Sequence, residues 1–344
     1  MARTLLREPP APVRWERARS SRGDHRLRGG RPVSTAPRPV SGTQHRLESH
    51  GYALDIASIG ATVRRVTHEG RDLVVPFEAD ELRPAYRGAV LAPWPNRVVD
   101  GRYAWEGAEL QLPLTEPSRG HALHGLASWL DFSATEVSPD AITLTATIEP
   151  QAGYPFRVEV VVDYCLDADG LRTTVTGTNI GEGVAPFGTG PHPYLVAGDS
   201  PLDEWTLSLP AETVLEVTPD RLIPTDLAPV TTAEGGAFDF RTPRTIGATE
   251  IDHAFTDLVR DASRDTTVSV TDADGRGVAM TWGADCGWVQ IHTADLLPSQ
   301  GVTRLGLAVE PMTCPPDAFN SGTDVLRLGP GESASASWRL HALG

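Results

Sequence analysis

Phe156-Arg157-Val158-Glu159-Val160-Val161-Val162-Asp163-Tyr164-Cys165, then Asp167-Ala168-Asp169-Gly170, then Leu171 to Ile180, is the passage that decides the fold. Two strand-sized runs rich in Val, Thr and Tyr flank an Asp-Gly turn, and glycine supplies the positive φ that a tight hairpin needs. The same grammar recurs where Thr266 to Thr271 meets Val278 to Trp282 across Asp272-Ala273-Asp274-Gly275. Neither D-A-D-G tetrad continues with the later ligands of a calcium loop, so both read as turns. Outward from these hairpins lie further alternating runs: Tyr52 to Ile56, Ala61 to Val66, Ala141 to Ile148, Val289 to His292 and Arg304 to Glu310. No window of a dozen residues has a helical period, so the expected fold is all-β, a large sandwich in one domain.

Composition narrows the chemistry. The chain has 344 residues, and all 30 of its basic side chains are arginine. Without lysine there is no Schiff-base chemistry, no lysine-linked pyridoxal cofactor and no phosphate-loop lysine; compositional bias is the plainer cause of the absence. Residues 1–40 carry a net charge of +7 and the remainder −22. The acidic body argues against nucleic acid or an anionic membrane as partner. Residues 1–40, rich in Arg, Pro, Ser and Gly, are expected to be a disordered tail, with residues 41–344 forming the domain. Three widely spaced cysteines without a C-x-x-C pair fit a reducing cytoplasm, and no apolar stretch suits a signal peptide or a membrane span.

Nucleophile-elbow, dinucleotide and zinc-protease motifs are absent. Candidate chemistry therefore rests on histidines, carboxylates and arginine: His121 and His124 in G-H-A-L-H-G, His192 in G-T-G-P-H-P-Y-L, Asp252 in I-D-H-A-F and Glu310 at the end of an apolar strand. Each has a plain structural reading, Glu310 for instance as the partner of Arg97 or Arg304. Two other chemistries stay open on these residues. His121, His124 and His192 have the make-up of a cupin-like metal site, and Asp252 with Glu310 that of a glycosidase acid and base.

Five runs in order, W-P-N-R-V-V-D-G-R-Y from Trp94, A-L-H-G from Ala122, P-H-P-Y from Pro191, I-D-H-A-F from Ile251 and A-V-E-P from Ala308, resemble the aldose 1-epimerase (galactose mutarotase) family over residues 45 to 342. That resemblance implies a β-supersandwich which interconverts the anomers of a monosaccharide without cofactor or metal. It also implies that Glu310 is the general base and His192 the general acid, with Arg97, His124 and Asp252 holding the sugar and Asn96 assisting. Ring opening needs one proton taken from the anomeric hydroxyl and one given to the ring oxygen. Partial desolvation is expected to raise Glu310, and a nearby carboxylate to keep His192 as the imidazolium.

Two departures from the family pattern stand out. The loop histidine His124 lacks the usual second glycine after it and has His121 three residues before it, and Pro315, Pro316 and Phe319 are placed where they would reshape the groove wall. A neutral hexose is the expected substrate, a hexose 6-phosphate the alternative, and a non-catalytic sugar-binding protein a third reading. The expected assembly is a monomer or homodimer. Trp94, Trp129 and Trp288 have the chemistry to stack on a sugar, although core positions are the commoner use of such residues.

Overall fold

The structure, a computed structural model, describes residues 38–295 and 303–344. The expected tail falls outside these residues except for its last three, and of those Arg38 donates to Ser58 and Asp131 of the folded body.

Alternation drives the architecture. Along Val158–Asp167 every second side chain is buried, and the strand pairs in antiparallel register with Ala141–Ile148 on one side and Gly170–Asn179 on the other. The hairpin closes where Asp167 pairs with Gly170, at φ +115°, and the Asp167 carboxylate accepts from the amide of Asp169. At the second tetrad the Asp272 carboxylate likewise accepts from the amides of Asp274 and Arg276, as in a turn. Among the described residues these strands belong to a nine-stranded sheet. Ser333–Leu343 lies inside that sheet, between Gly170–Asn179 and Gly277–Trp282. A four-stranded sheet begins with Gln44–Ser49, Tyr52–Ala57 and Thr62–His68.

A six-stranded sheet carries the chemistry. Its order is Tyr194–Leu195, Leu307–Met312, Trp288–His292, Asp252–Leu258, Ala211–Val217 and Pro224–Pro229. Val289, Ile291, Leu307 and Val309 join Val160, Val162, Leu54 and Ile56 in one core drawn from these three larger sheets. Burial of this kind contributes about 1.5–3 kcal/mol per large aliphatic side chain. Among the described residues, helix is confined to single turns such as Ala318–Ser321. The expected all-β sandwich is therefore the observed one.

Two local expectations are corrected. The strand containing Glu310 runs from Leu307 to Met312, so Glu310 is interior to it, and all six residues are buried. Phe319 does not line a groove. It is buried against Trp94 and Tyr103, closing the core beneath the run that begins at Trp94.

Candidate active site

In Leu307–Met312 the side chains of Leu307 and Val309 enter the core, so strand alternation turns Ala308, Glu310 and Met312 to the opposite face. Register then builds a polar row on that face. Gln290 lies opposite Glu310, and Asp252 lies opposite His292. The Gln290 amide donates to Asp252 at 2.7 Å, and His292 Nδ1 stands 3.7 Å from the same carboxylate. His253, one residue on from Asp252, faces away against Phe238.

Loops bring the remaining groups over this face. Arg97–Val98 pairs with Ala122–Leu123, which sets Arg97 beside the turn bearing His124. That turn is exacting: Gly125 has φ +74°, and a Cβ there would lie 2.1 Å from the carbonyl oxygen of Ala92. Asn96 closes the loop, its amide donating to His124 Nδ1 at 3.2 Å while its side-chain oxygen accepts from the Arg97 amide at 2.9 Å. The exchange leaves Nε2 of His124 as the protonated nitrogen. His192 is pinned by its own backbone, which donates to Ala89 and accepts from Gly88. Its ring stacks on Tyr194 at 5.2 Å and meets the His124 ring edge-on at 4.9 Å.

The centre of the arrangement is a contact of 3.4 Å between His192 Nε2 and Glu310 Oε1. Both residues are buried, Glu310 to 1% and His192 to 5% exposure. The other carboxylate oxygen of Glu310 and Nδ1 of His192 have no hydrogen-bond partner among the described residues.

Electrostatics separates the two carboxyl groups. Burial, then the negative charge of Asp252, pushes the Glu310 carboxyl well above the usual range, against a smaller downward pull from Arg97. Burial would raise Asp252 too, but His292 and Arg97 bring it below its ordinary value. One acid is thus poised to hold a proton while its neighbour stays ionised, the division of labour that acid–base catalysis needs. The shift at His192 runs against the expected imidazolium. Burial, followed by repulsion from His292, lowers it to about 3, and burial with the nearby His192 lowers His124 well below the usual histidine value. Taking two ionised groups out of water costs more than their mutual attraction returns, so burial favours the carboxylic acid form of Glu310 and the neutral form of His192.

The six residues that the resemblance implicates, Asn96, Arg97, His124, His192, Asp252 and Glu310, converge here. The plain readings of Glu310 do not hold, because Arg304 pairs with Asp203 and Asp295, and Arg97 forks onto Glu116 at 2.8 and 3.0 Å. Arg97 also stands 3.9 Å from Asp252. His121 is buried away from the centre, with Nε2 on the Arg221 carbonyl and Nδ1 accepting from the Asp100 amide. It therefore joins neither this polar face nor a three-histidine cluster, and no metal-holding group of three acids, histidines or cysteines occurs among the described residues. Sequence reasoning missed Gln290, His292 and Glu116. The signal for the first two lay in Val289-Gln290-Ile291-His292, where alternation with core residues forces two polar side chains onto a buried face. Glu116 carried no comparable signal.

The family model described as aldose 1-epimerase matches residues 43–341. An uncharacterised protein of Escherichia coli, YihR, is 38% identical over 293 residues, covering 85% of this chain and 91% of its own. The galactose mutarotase of Rattus norvegicus is 31% identical over 229 residues, 59% of this chain and 61% of its own. Among solved structures, an aldose epimerase homologue from C. elegans superposes with a TM-score of 0.76 at 19% identity, covering 87% of this chain and 99% of that one.

Proposed function

Because the chain belongs to the aldose 1-epimerase family, an isomerase family, we propose that it interconverts the α and β anomers of a neutral hexose such as glucose or galactose. The observation that carries the reading is the buried 3.4 Å contact between Glu310 and His192, with an unpartnered polar atom on each side chain.

One proton serves the whole cycle. Arg97 favours the Glu310 carboxylate and Asp252 favours the His192 imidazolium, so the two flanking charges oppose burial and support transfer of the resting proton from Glu310 to His192. In that form Glu310 takes the proton of the anomeric hydroxyl while His192 gives its proton to the ring oxygen, and the bond from C1 to the ring oxygen breaks. The open aldehyde turns about its C1–C2 bond. Closure reverses both transfers, delivers the other anomer and leaves the pair with the proton it started with. His124, with its proton on Nε2, donates toward the ring oxygen as charge builds there. Asp252, Arg97 and Asn96 hold the remaining hydroxyls.

Arg97 is already shared by Glu116 and Asp252, which leaves little positive charge for a phosphate and favours a neutral sugar. The setting we infer is cytoplasmic, as a monomer or homodimer acting on free sugar without a nucleic-acid or membrane partner. Three unpaired cysteines support it, and no helix among the described residues is long and apolar enough to cross a membrane. Polarimetry of freshly dissolved α-D-glucose and α-D-galactose tests the proposal. Faster approach to an unchanged final rotation is the expected result, and the spontaneous rate with both sugars would overturn it.

A further inference from the structure

Proton transfer leaves one feature beside the site without a task. Of the three tryptophans near the family motifs, Trp94 and Trp288 are buried, whereas Trp129 is 52% exposed. The guanidinium of Arg83 covers one face of its indole, 4.5 Å from the ring centroid. Arg83 is itself buried and fixed, donating to Thr62 Oγ1 at 2.6 Å and to the Ser128 carbonyl at 2.7 Å. The indole is thus presented to solvent on a rigid base.

Tyr86 connects this indole to the catalytic groups. Its ring stands 6.5 Å from Trp129 in an edge arrangement, 4.6 Å from His124, and 6.3 Å from His192 in a stacked one. Ala85 and Tyr86 both hold positive φ, 44° and 56°, which residues with a side chain adopt only at a cost. The chain accepts that cost in order to set Tyr86 between the histidines and the exposed tryptophan.

Sugar chemistry gives the direction. If the anomeric hydroxyl lies at Glu310 and the ring oxygen at His192, the next ring atom after that oxygen is C5, whose exocyclic C6 then lies on the histidine side of the site. Tyr86 and Trp129 lie on that side. We propose that they form a second sugar subsite, which receives a pyranose linked through C6 of the reducing sugar. A 1→6 linkage leaves the anomeric hydroxyl and the ring oxygen free to react, and the apolar C–H face of the added ring suits a flat, immobile indole. The inference rests on the epimerase reading above and extends it to 1→6-linked disaccharides.

Polarimetric kinetics on the full chain and on Trp129→Ala and Trp129→Phe test it, with glucose, the 1→6-linked melibiose and the 1→4-linked maltose as substrates. The wild type should turn over melibiose with a KM several-fold below that for maltose. In Trp129→Ala the melibiose KM should rise about three- to tenfold, the range expected for loss of one aromatic stacking contact. Its kcat and all glucose constants should stay within about twofold, because the proton-transferring groups are untouched. Trp129→Phe should recover most of the melibiose affinity, and it stands in if the alanine variant fails to fold. Melibiose constants indifferent to both substitutions, or an equal loss with every sugar, would overturn the subsite while leaving the epimerase reading intact. No turnover of glucose or galactose by the wild type would overturn both.

Discussion

Glu310→Gln should move activity and stability in opposite directions. The amide keeps the shape of the side chain inside a strand buried on both faces, and it removes the group that takes the anomeric proton. Loss of one general base lowers the rate by about 10²–10⁴. Stability follows from the raised Glu310 carboxyl. The folded protein retains that proton at pH values where the unfolded chain, with an ordinary glutamate pKa of about 4.3, has already released it. Wild-type stability from this group is therefore fully present below about pH 4.3 and is lost as the pH rises through the elevated folded pKa. Each unit of elevation costs about 1.4 kcal/mol, and glutamine has no proton to lose. The variant should melt with the wild type near pH 4 and above it near pH 8. One unit alone would give a gap of about 1.4 kcal/mol, or roughly 3 °C in Tm for a domain of this class. Thermal melts at pH 4, 6 and 8, with polarimetry on the same preparations, read both effects. Retention of more than a tenth of the rate would refute Glu310 as the base. A melting gap that ignores pH, or favours the wild type at pH 8, would refute the cost assigned to its buried charge.

Three further outcomes follow from the same geometry. Because His192 accepts a second proton only near pH 3, the rate should hold as the pH falls through the ordinary histidine range, and a pH–rate profile losing activity near pH 6.5 would contradict the resting state described. Glu116→Ala leaves the buried Arg97 fork without its main partner; denaturant unfolding should show a loss of about 3–5 kcal/mol, with a raised KM from the misplaced arginine. His121→Asn should keep mutarotation within about twofold of wild type while lowering stability by about 1–3 kcal/mol, since the Arg221 carbonyl and Asp100 amide lose their partner.

Much of this is legible in the sequence alone, and for physical reasons. Asp-Gly turns at Asp169-Gly170 and Asp274-Gly275 announce hairpins locally, and alternation along Val158–Asp167 states which face is buried. Glu310 was legible as anomalous because an acid in an apolar strand needs a reason. The charge state of His192 was not legible, since it depends on how completely three separate segments exclude water from one ring. Nor was the partner of Arg97: Glu116 reaches it only through the path of a loop, and no residue spacing encodes that path. Gln290 and His292 lie between these cases, visible as polar strand residues but assigned to the site only once register sets them beside Glu310 and Asp252.

The placement of Ser333–Leu343 within the nine-stranded sheet has a consequence for biosynthesis. Gly170–Asn179 and Gly277–Trp282 each pair one side with a close neighbour in sequence and leave the other for this late strand. At about 5–20 residues per second, roughly ten to thirty seconds separate synthesis of residue 179 from that of residue 343. Throughout that interval the nascent chain carries unpaired strand edges flanked by apolar side chains, the template on which β-proteins aggregate. Folding of the domain is thus held back until residues 333–343 have been made, and the interval defines when a nascent-chain chaperone would have its greatest effect on yield.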